Sequence, residues 1–278
     1  MFPAGQVLVN KRSREDAEKT RLNLKTKLTG KMDITSRVAE FVDCRSKETG
    51  QRELFIVEGK SALGSVKQAR DPNFQAVMPI RGKILNCLKV DYDKIFKNEI
   101  IMDLIKVLGC GVQVKSKANK SVGAFDINAL RWNKVILCTD ADVDGFHIRT
   151  MLLTMLYRLT PDLISQNKVF IAESPLYEIN SKDKTYFAYN EREKDQFLQE
   201  LEGQKYTIQR SKGLGENDPD MMNLTTMNPK TRRLIQVNPG DVERAAEMFD
   251  VLLGDNLTGR KDYIAQHGSE YLDDLDVS

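Results

Sequence analysis

Three aspartates stand at alternate positions in Thr139-Asp140-Ala141-Asp142-Val143-Asp144-Gly145, directly after the apolar run Lys134 to Cys138. Carboxylates so spaced repel one another unless solvent or a cation neutralises them, so the triplet points to a divalent ion. The alternative is a helix N-terminus whose acids complement the helix dipole, which accounts for one or two of the three. The spelling D-x-D-x-D-G also opens an EF-hand loop. The twelfth position of that loop is Met151, where a bidentate glutamate is needed, and the upstream segment is strand-like rather than helical. A calcium sensor is therefore not the expectation.

A second carboxylate, Glu58, follows the run Glu53 to Val57 in VEGKSALGS, where Gly59 allows a tight turn and Ser61 can begin a helix. With only His147 and His267 as imidazoles, and Cys44, Cys87, Cys110 and Cys138 too scattered for a C-x-x-C pair, any metal site is built mainly from oxygen. Oxygen ligands favour magnesium, with manganese or calcium as substitutes, over zinc. One glutamate, an aspartate triplet and magnesium suit phosphodiester transfer, in which the cation stabilises an attacking or leaving oxyanion and the glutamate serves as general acid or base.

The elements that must position these groups are legible. Glu53 to Val57 (ELFIV) and Lys134 to Cys138 (KVILC) have the apolar density of buried parallel strands, each ending in a carboxylate-bearing turn. His147 to Leu159 predicts a helix packed on a sheet and closed by Pro161. Lys168 to Glu173 predicts a further strand, and Ser174-Pro175 a change of direction into Leu176 to Asn180. The alternation implies an α/β fold, and in open α/β sheets the carboxyl ends of strands form the ligand crevice, which would aim Glu58 and the aspartates at one point. Residues 14 to 28 suit an exposed linker helix, and the remainder of the chain reads as mixed helix and loop.

The 278 residues are 41% hydrophobic and 29% charged, with a formal net charge of +2, enough for one large core or two modest ones. No apolar run approaches a membrane span and no signal segment opens the chain, which predicts a cytoplasmic protein with reduced cysteines and no membrane contact. Residues 10 to 37 are rich in lysine and arginine, either a solvated helix face or a surface for phosphate.

The pairing of VEGKSA with DADVDG resembles the Toprim domain of topoisomerases, primases and some nucleases. The further blocks MPIRGKILN (78–86), TDADVDGFHIRT (139–150), SPLYEI (174–179), SKGLGE (211–216) and TTMNPKTRRLIQV (225–237) resemble the B subunits of type IIA DNA topoisomerases, bacterial gyrase and topoisomerase IV. The resemblance covers roughly residues 38 to 265 and implies a Toprim domain with a parallel-sheet, Rossmann-like core at 52–168. A linker or helical segment at 1–51 would precede it and a mixed helical C-terminal extension at 169–278 would follow. Glu58 matches the catalytic acid and metal ligand, Asp140 and Asp142 match metal ligands, and Asp144 completes the motif. Lys83 and Asn86 match DNA-contacting positions. Arg81, Lys212, His147 and Arg149 fall in matching motifs, either as phosphate contacts or as groups that order the site.

The resemblance also implies double-stranded DNA as substrate and an A subunit as partner in an A2B2 assembly, located at the nucleoid. The resemblance further implies that the partner supplies the nucleophilic tyrosine; none of the eight tyrosines here is obviously that residue. No ATP-binding motif is found in the first 50 residues, so ATP would act through a domain not represented here. The chain departs from the family at Lys60, where aspartate is usual, and at Leu63, where small residues are usual. A cation there favours ionisation of Glu58 yet competes with a bound metal, unless the lysine points outward to a DNA phosphate. Two other functions stay open: a DNA-binding or assembly module with impaired cleavage, and a stand-alone Toprim nuclease.

Overall fold

The computed structural model describes residues 38–82, 84–114, 123–211, 213–238, 240 and 242–270, without the side chains of 242–246. The expected helix at 14–28, the basic run of 10–37, Lys83 and Lys212 lie outside the described residues.

The expected strands become the centre of one sheet. The element β1 (Glu53–Glu58) lies parallel to both β2 (Gln75–Ile80) and β3 (Lys134–Cys138), β3 runs parallel to β4 (Val169–Ala172), and β8 (Leu234–Gln236) closes the edge antiparallel to β4. The resulting order is β2-β1-β3-β4-β8. Side chains alternate across a strand, so each buried run feeds two cores. Leu54, Ile56, Val135 and Leu137 enter one, with helices α2 (Tyr92–Ile95), α3 (Glu99–Leu108) and α4 (Val143–Leu159). Phe55, Val57, Ile136 and Cys138 enter the other, with α1 (Gly59–Ala69) and the turn of α7 (Pro219–Met222). This is the α/β architecture the alternation implies, with the Rossmann-like core implied by the resemblance.

Local differences have local causes. Helix α1 starts at Gly59, two residues before the expected Ser61, because Glu58 itself takes the extended N-cap conformation. Helix α4 starts inside the acidic motif with Asp142 as its cap, and Pro161 opens a separate short helix α5 (Pro161–Ser165) at its N1 position, where a missing N–H costs nothing. Beyond β4, the strands β5 (Tyr177–Ser181), β6 (Thr185–Ala188) and β7 (Tyr206–Arg210) form a three-stranded antiparallel sheet of order β6-β5-β7, crossed by α6 (Glu191–Glu200). The sequence reads as helix and loop over most of this stretch, because β7 is exposed along its whole length and carries no buried apolar run. Two further helices, α8 (Val242–Leu253) and α9 (Leu257–His267), end the described chain, and no helix among the described residues is long and apolar enough to cross a membrane.

The chain beyond β4 is fastened to the main sheet by charge as well as by β8. Arg232 grips Glu53, at the start of β1, through two bonds of 2.6 Å, and both side chains are 4% exposed. The cysteines are all buried and free; burial pushes the thiols of Cys110 and Cys138 up to about 12, which keeps them protonated.

Candidate metal centre

Pairing of Val57 with Cys138 places the ends of β1 and β3 side by side, so the residues that follow are neighbours. The Asp140 amide donates to Glu58 Oε2 at 3.2 Å. Strand register thus sets the Glu58 carboxylate against the backbone of Asp140, 82 positions away in the chain. Asp142 caps α4 by accepting from the Gly145 amide at 2.7 Å, which commits one of its oxygens. Asp144 sits exposed in the first turn of the same helix. Gly145 is required by space: any Cβ there would overlap the Asp140 carbonyl oxygen.

The third element at the site is the SKGLGE loop. The Leu214 amide donates to Asp140 Oδ1 at 2.8 Å, and Ser65 of α1 donates to the Gly215 carbonyl at 3.3 Å. A Cβ on Gly213 would sit 3.0 Å from Asp140 Oδ2, and one on Gly215 would sit 2.7 Å from Ser61 Cβ. The glycines therefore let backbone approach both carboxylate-bearing elements. The G-x-G spacing is the signal in the sequence for this role; the contact of Leu214 with Asp140 is one that motif matching alone does not give.

The electrostatics call for a cation. Burial pushes the Glu58 carboxyl above the ordinary range, and the negative charges of Asp140, Asp142 and Asp144 push it the same way, against the opposing hydrogen bond from the Asp140 amide. Burial likewise raises Asp140, with Asp142 and Glu216 adding to it and the Leu214 amide opposing. Among the described residues no group of three or more aspartate, glutamate, histidine or cysteine side chains is placed to hold a metal ion together. An open pair of carboxylates with a third acid nearby fits magnesium, which keeps several waters and takes one or two carboxylates plus substrate phosphate oxygens.

The other candidate residues are placed differently from one another. Arg81 and Lys60 both pair with Glu40, at 2.5 and 2.7 Å, on the rim beside Glu58. Arg149 turns inward and donates to Thr139 Oγ1 at 3.3 Å, bracing the strand end that carries Asp140, while His147 is exposed on α4. Asn86 is engaged with protein, donating to the Leu253 carbonyl at 3.1 Å and accepting from the Leu88 amide at 3.0 Å. Lys83 and Lys212 lie outside the described residues. Leu63 packs partly buried against the second core, so the bulk that departs from the family faces protein. Glu40 was not foreseen from the sequence, since nothing in its spacing ties it to Lys60 or Arg81.

The geometry agrees with comparisons to known proteins. The Toprim domain model matches residues 53–174, and the model of the DNA gyrase B subunit carboxyl terminus matches residues 203–265. The gyrase B protein of Thermotoga maritima is 41% identical over 98% of this chain and 41% of its own length. That of Clostridium acetobutylicum is 42% identical over 98% of this chain and 41% of its own length. That of Archaeoglobus fulgidus is 43% identical over 88% of this chain and 37% of its own. The chain spans about two fifths of the length of these relatives. With the Glu58 carboxylate set against the Asp140 backbone at the tips of β1 and β3, the chain carries a Toprim domain followed by a DNA gyrase B carboxyl-terminal domain and corresponds to about two fifths of the DNA gyrase B subunits it resembles.

Proposed function

We propose that this chain forms the magnesium-binding half of a DNA cleavage and religation centre and acts with an A subunit that supplies the nucleophilic tyrosine. The observation that carries the reading is the 3.2 Å contact between Glu58 and the Asp140 amide at adjoining strand tips. Glu58 and Asp140 would hold the cation, with Asp142 and Asp144 supporting it from the cap and first turn of α4. A bound divalent cation supplies electrostatic stabilisation of the phosphoryl and leaving oxygens. Glu58 is also assigned as the acid that gives a proton to the departing sugar oxygen and takes it back on religation. Arg81 on the rim, with Lys83, Lys212 and Asn86, is assigned to the phosphate backbone, which positions the duplex without reading its sequence. Asn86 would have to release Leu253 to do so. Arg149 and His147 order the strand end and the helix start.

In this reading residues 52–168 form the Toprim unit, 169–278 an extension that buttresses it through β8 and Arg232, and 1–51 a joining segment. The protein works in the cytoplasm at the nucleoid, and ATP enters only through a further domain. A second reading, a DNA-binding module with impaired cleavage, draws support from the cation Lys60 in place of an acid. Mixing the chain with a cognate A subunit, supercoiled DNA and magnesium separates the two. Covalent cleavage complexes that vanish in Glu58→Ala support the cleavage centre. Binding without cleavage supports the second reading, nicking without the A subunit indicates a stand-alone nuclease, and cleavage that persists in Glu58→Ala refutes the site.

A further inference from the structure

Glu40 holds its backbone in the left-handed region, φ +65°, where residues with a side chain are uncommon and the surrounding structure must impose the conformation. The imposition is visible. Val38 and Phe41 on either side are buried, and Val42 exchanges two backbone bonds of 2.9 Å with Val77 in β2. Pinned in this way, Glu40 reaches Lys60 at 2.7 Å with one carboxylate oxygen. The same oxygen meets Arg81 Nη2 at 2.5 Å, and the other accepts from Arg81 Nε at 2.8 Å.

The location gives the pairing its meaning. Lys60 lies two residues beyond Glu58 in the first turn of α1, and its side chain is 64% exposed and long enough to reorient. An ammonium that turned toward Glu58 would occupy the space of a cation and repel one bound nearby. The ion pair with Glu40 holds it in place, and Glu40 cancels one of the two positive charges at this rim. We infer that Glu40 is a positioning residue for the carboxylate centre: by holding and neutralising Lys60, it lets a chain with lysine in place of the family's aspartate keep its affinity for a divalent cation. The inference rests on the metal-site reading above.

A double-substitution cycle on the full chain tests it, with Mn2+ as the probe and free Mn2+ read by electron paramagnetic resonance. Glu40→Gln is expected to weaken Mn2+ binding on the order of fivefold, the scale of one uncompensated charge close to a solvated site. Lys60→Met alone changes affinity by less than about twofold, because the ammonium paired to Glu40 does not turn toward the carboxylate centre. In the Glu40→Gln background, however, Lys60→Met restores the loss. A purely structural role for Glu40 would lower the melting temperature without making the Mn2+ effect depend on Lys60. Unchanged affinity in Glu40→Gln overturns the inference, as does a loss that persists when Lys60 is also replaced. If melting shows Glu40→Gln to be unfolded, Lys60→Met decides by itself: severalfold tighter binding means that Lys60 was never neutralised. Failure of the unsubstituted chain to bind Mn2+ strikes the metal-site reading first and this inference with it.

Discussion

Replacing Arg232 with methionine removes the partner of a carboxylate that has little other protection. Glu53 and Arg232 are each 4% exposed and joined by two bonds of 2.6 Å; Gln75 adds a bond at 3.1 Å and Lys134 a weaker contact at 3.4 Å. Burial alone would push the Glu53 carboxyl up, but the hydrogen bonds and charge of Arg232 prevail and hold it below the usual range. Breaking one side of such a pair leaves a buried, uncompensated charge, which costs about 3–5 kcal/mol. For a unit of this size that corresponds to a fall of roughly 6–20 °C in Tm. Urea unfolding at neutral pH measures it. The sign of the pH dependence follows from the lowered pKa. In the parent chain the Glu53 contribution is present above the ordinary carboxylate range and is lost as pH falls through the depressed value. In Arg232→Met, burial raises Glu53 instead, so the deficit shrinks as acid protonates it. The double variant Glu53→Leu, Arg232→Met should recover most of the loss, since an apolar pair carries no desolvation penalty. A deficit below about 1 kcal/mol in Arg232→Met would mean that the pair behaves as a solvated surface bridge, and the reasoning would fail.

Glu58→Gln should abolish cleavage yet stabilise the protein in the absence of divalent cations. Glu58 is raised in the fold, so its contribution is intact below the unfolded pKa and is lost as pH rises through the folded one. The variant's advantage should therefore be present at about pH 7 to 8 and gone near about pH 4, where the unfolded chain's carboxyl also protonates. Thermal melts in chelator across that range check it, and an equal advantage at both ends would contradict the origin assigned to the shift. Gly145→Ala should destabilise by about 1–3 kcal/mol or more, because its new Cβ meets backbone rather than a movable side chain. Wild-type stability with intact cleavage in that variant would show that the helix start is free to shift.

Much of the site was legible in the sequence because register does the assembling. Buried parallel strands announce themselves as short apolar runs, and a carboxylate directly after such a run lies at the sheet's carboxyl edge, so Glu58 and Asp140 could be paired from their positions in the chain. The start of α4 was less legible: Asp142 caps the helix, so the same residues that read as a ligand cluster also begin an element. The antiparallel sheet of the extension stayed hidden because β7 alternates no buried face, and strand signals fade where neither side is covered. Glu40 and Arg232 were invisible for another reason. Each acts on a residue distant in the chain, Glu40 on Lys60 and Arg81, Arg232 on Glu53, and long-range ion pairs leave no local pattern.

The central claim is that Glu58 and Asp140 share one divalent cation. Anomalous diffraction from crystals soaked in Mn2+ tests it most directly. A peak lying roughly 2.0–2.4 Å from an oxygen of each carboxylate, and absent in Asp140→Asn, is the predicted result. A peak bound elsewhere, or one that survives with Glu58 outside its coordination sphere, would contradict the account.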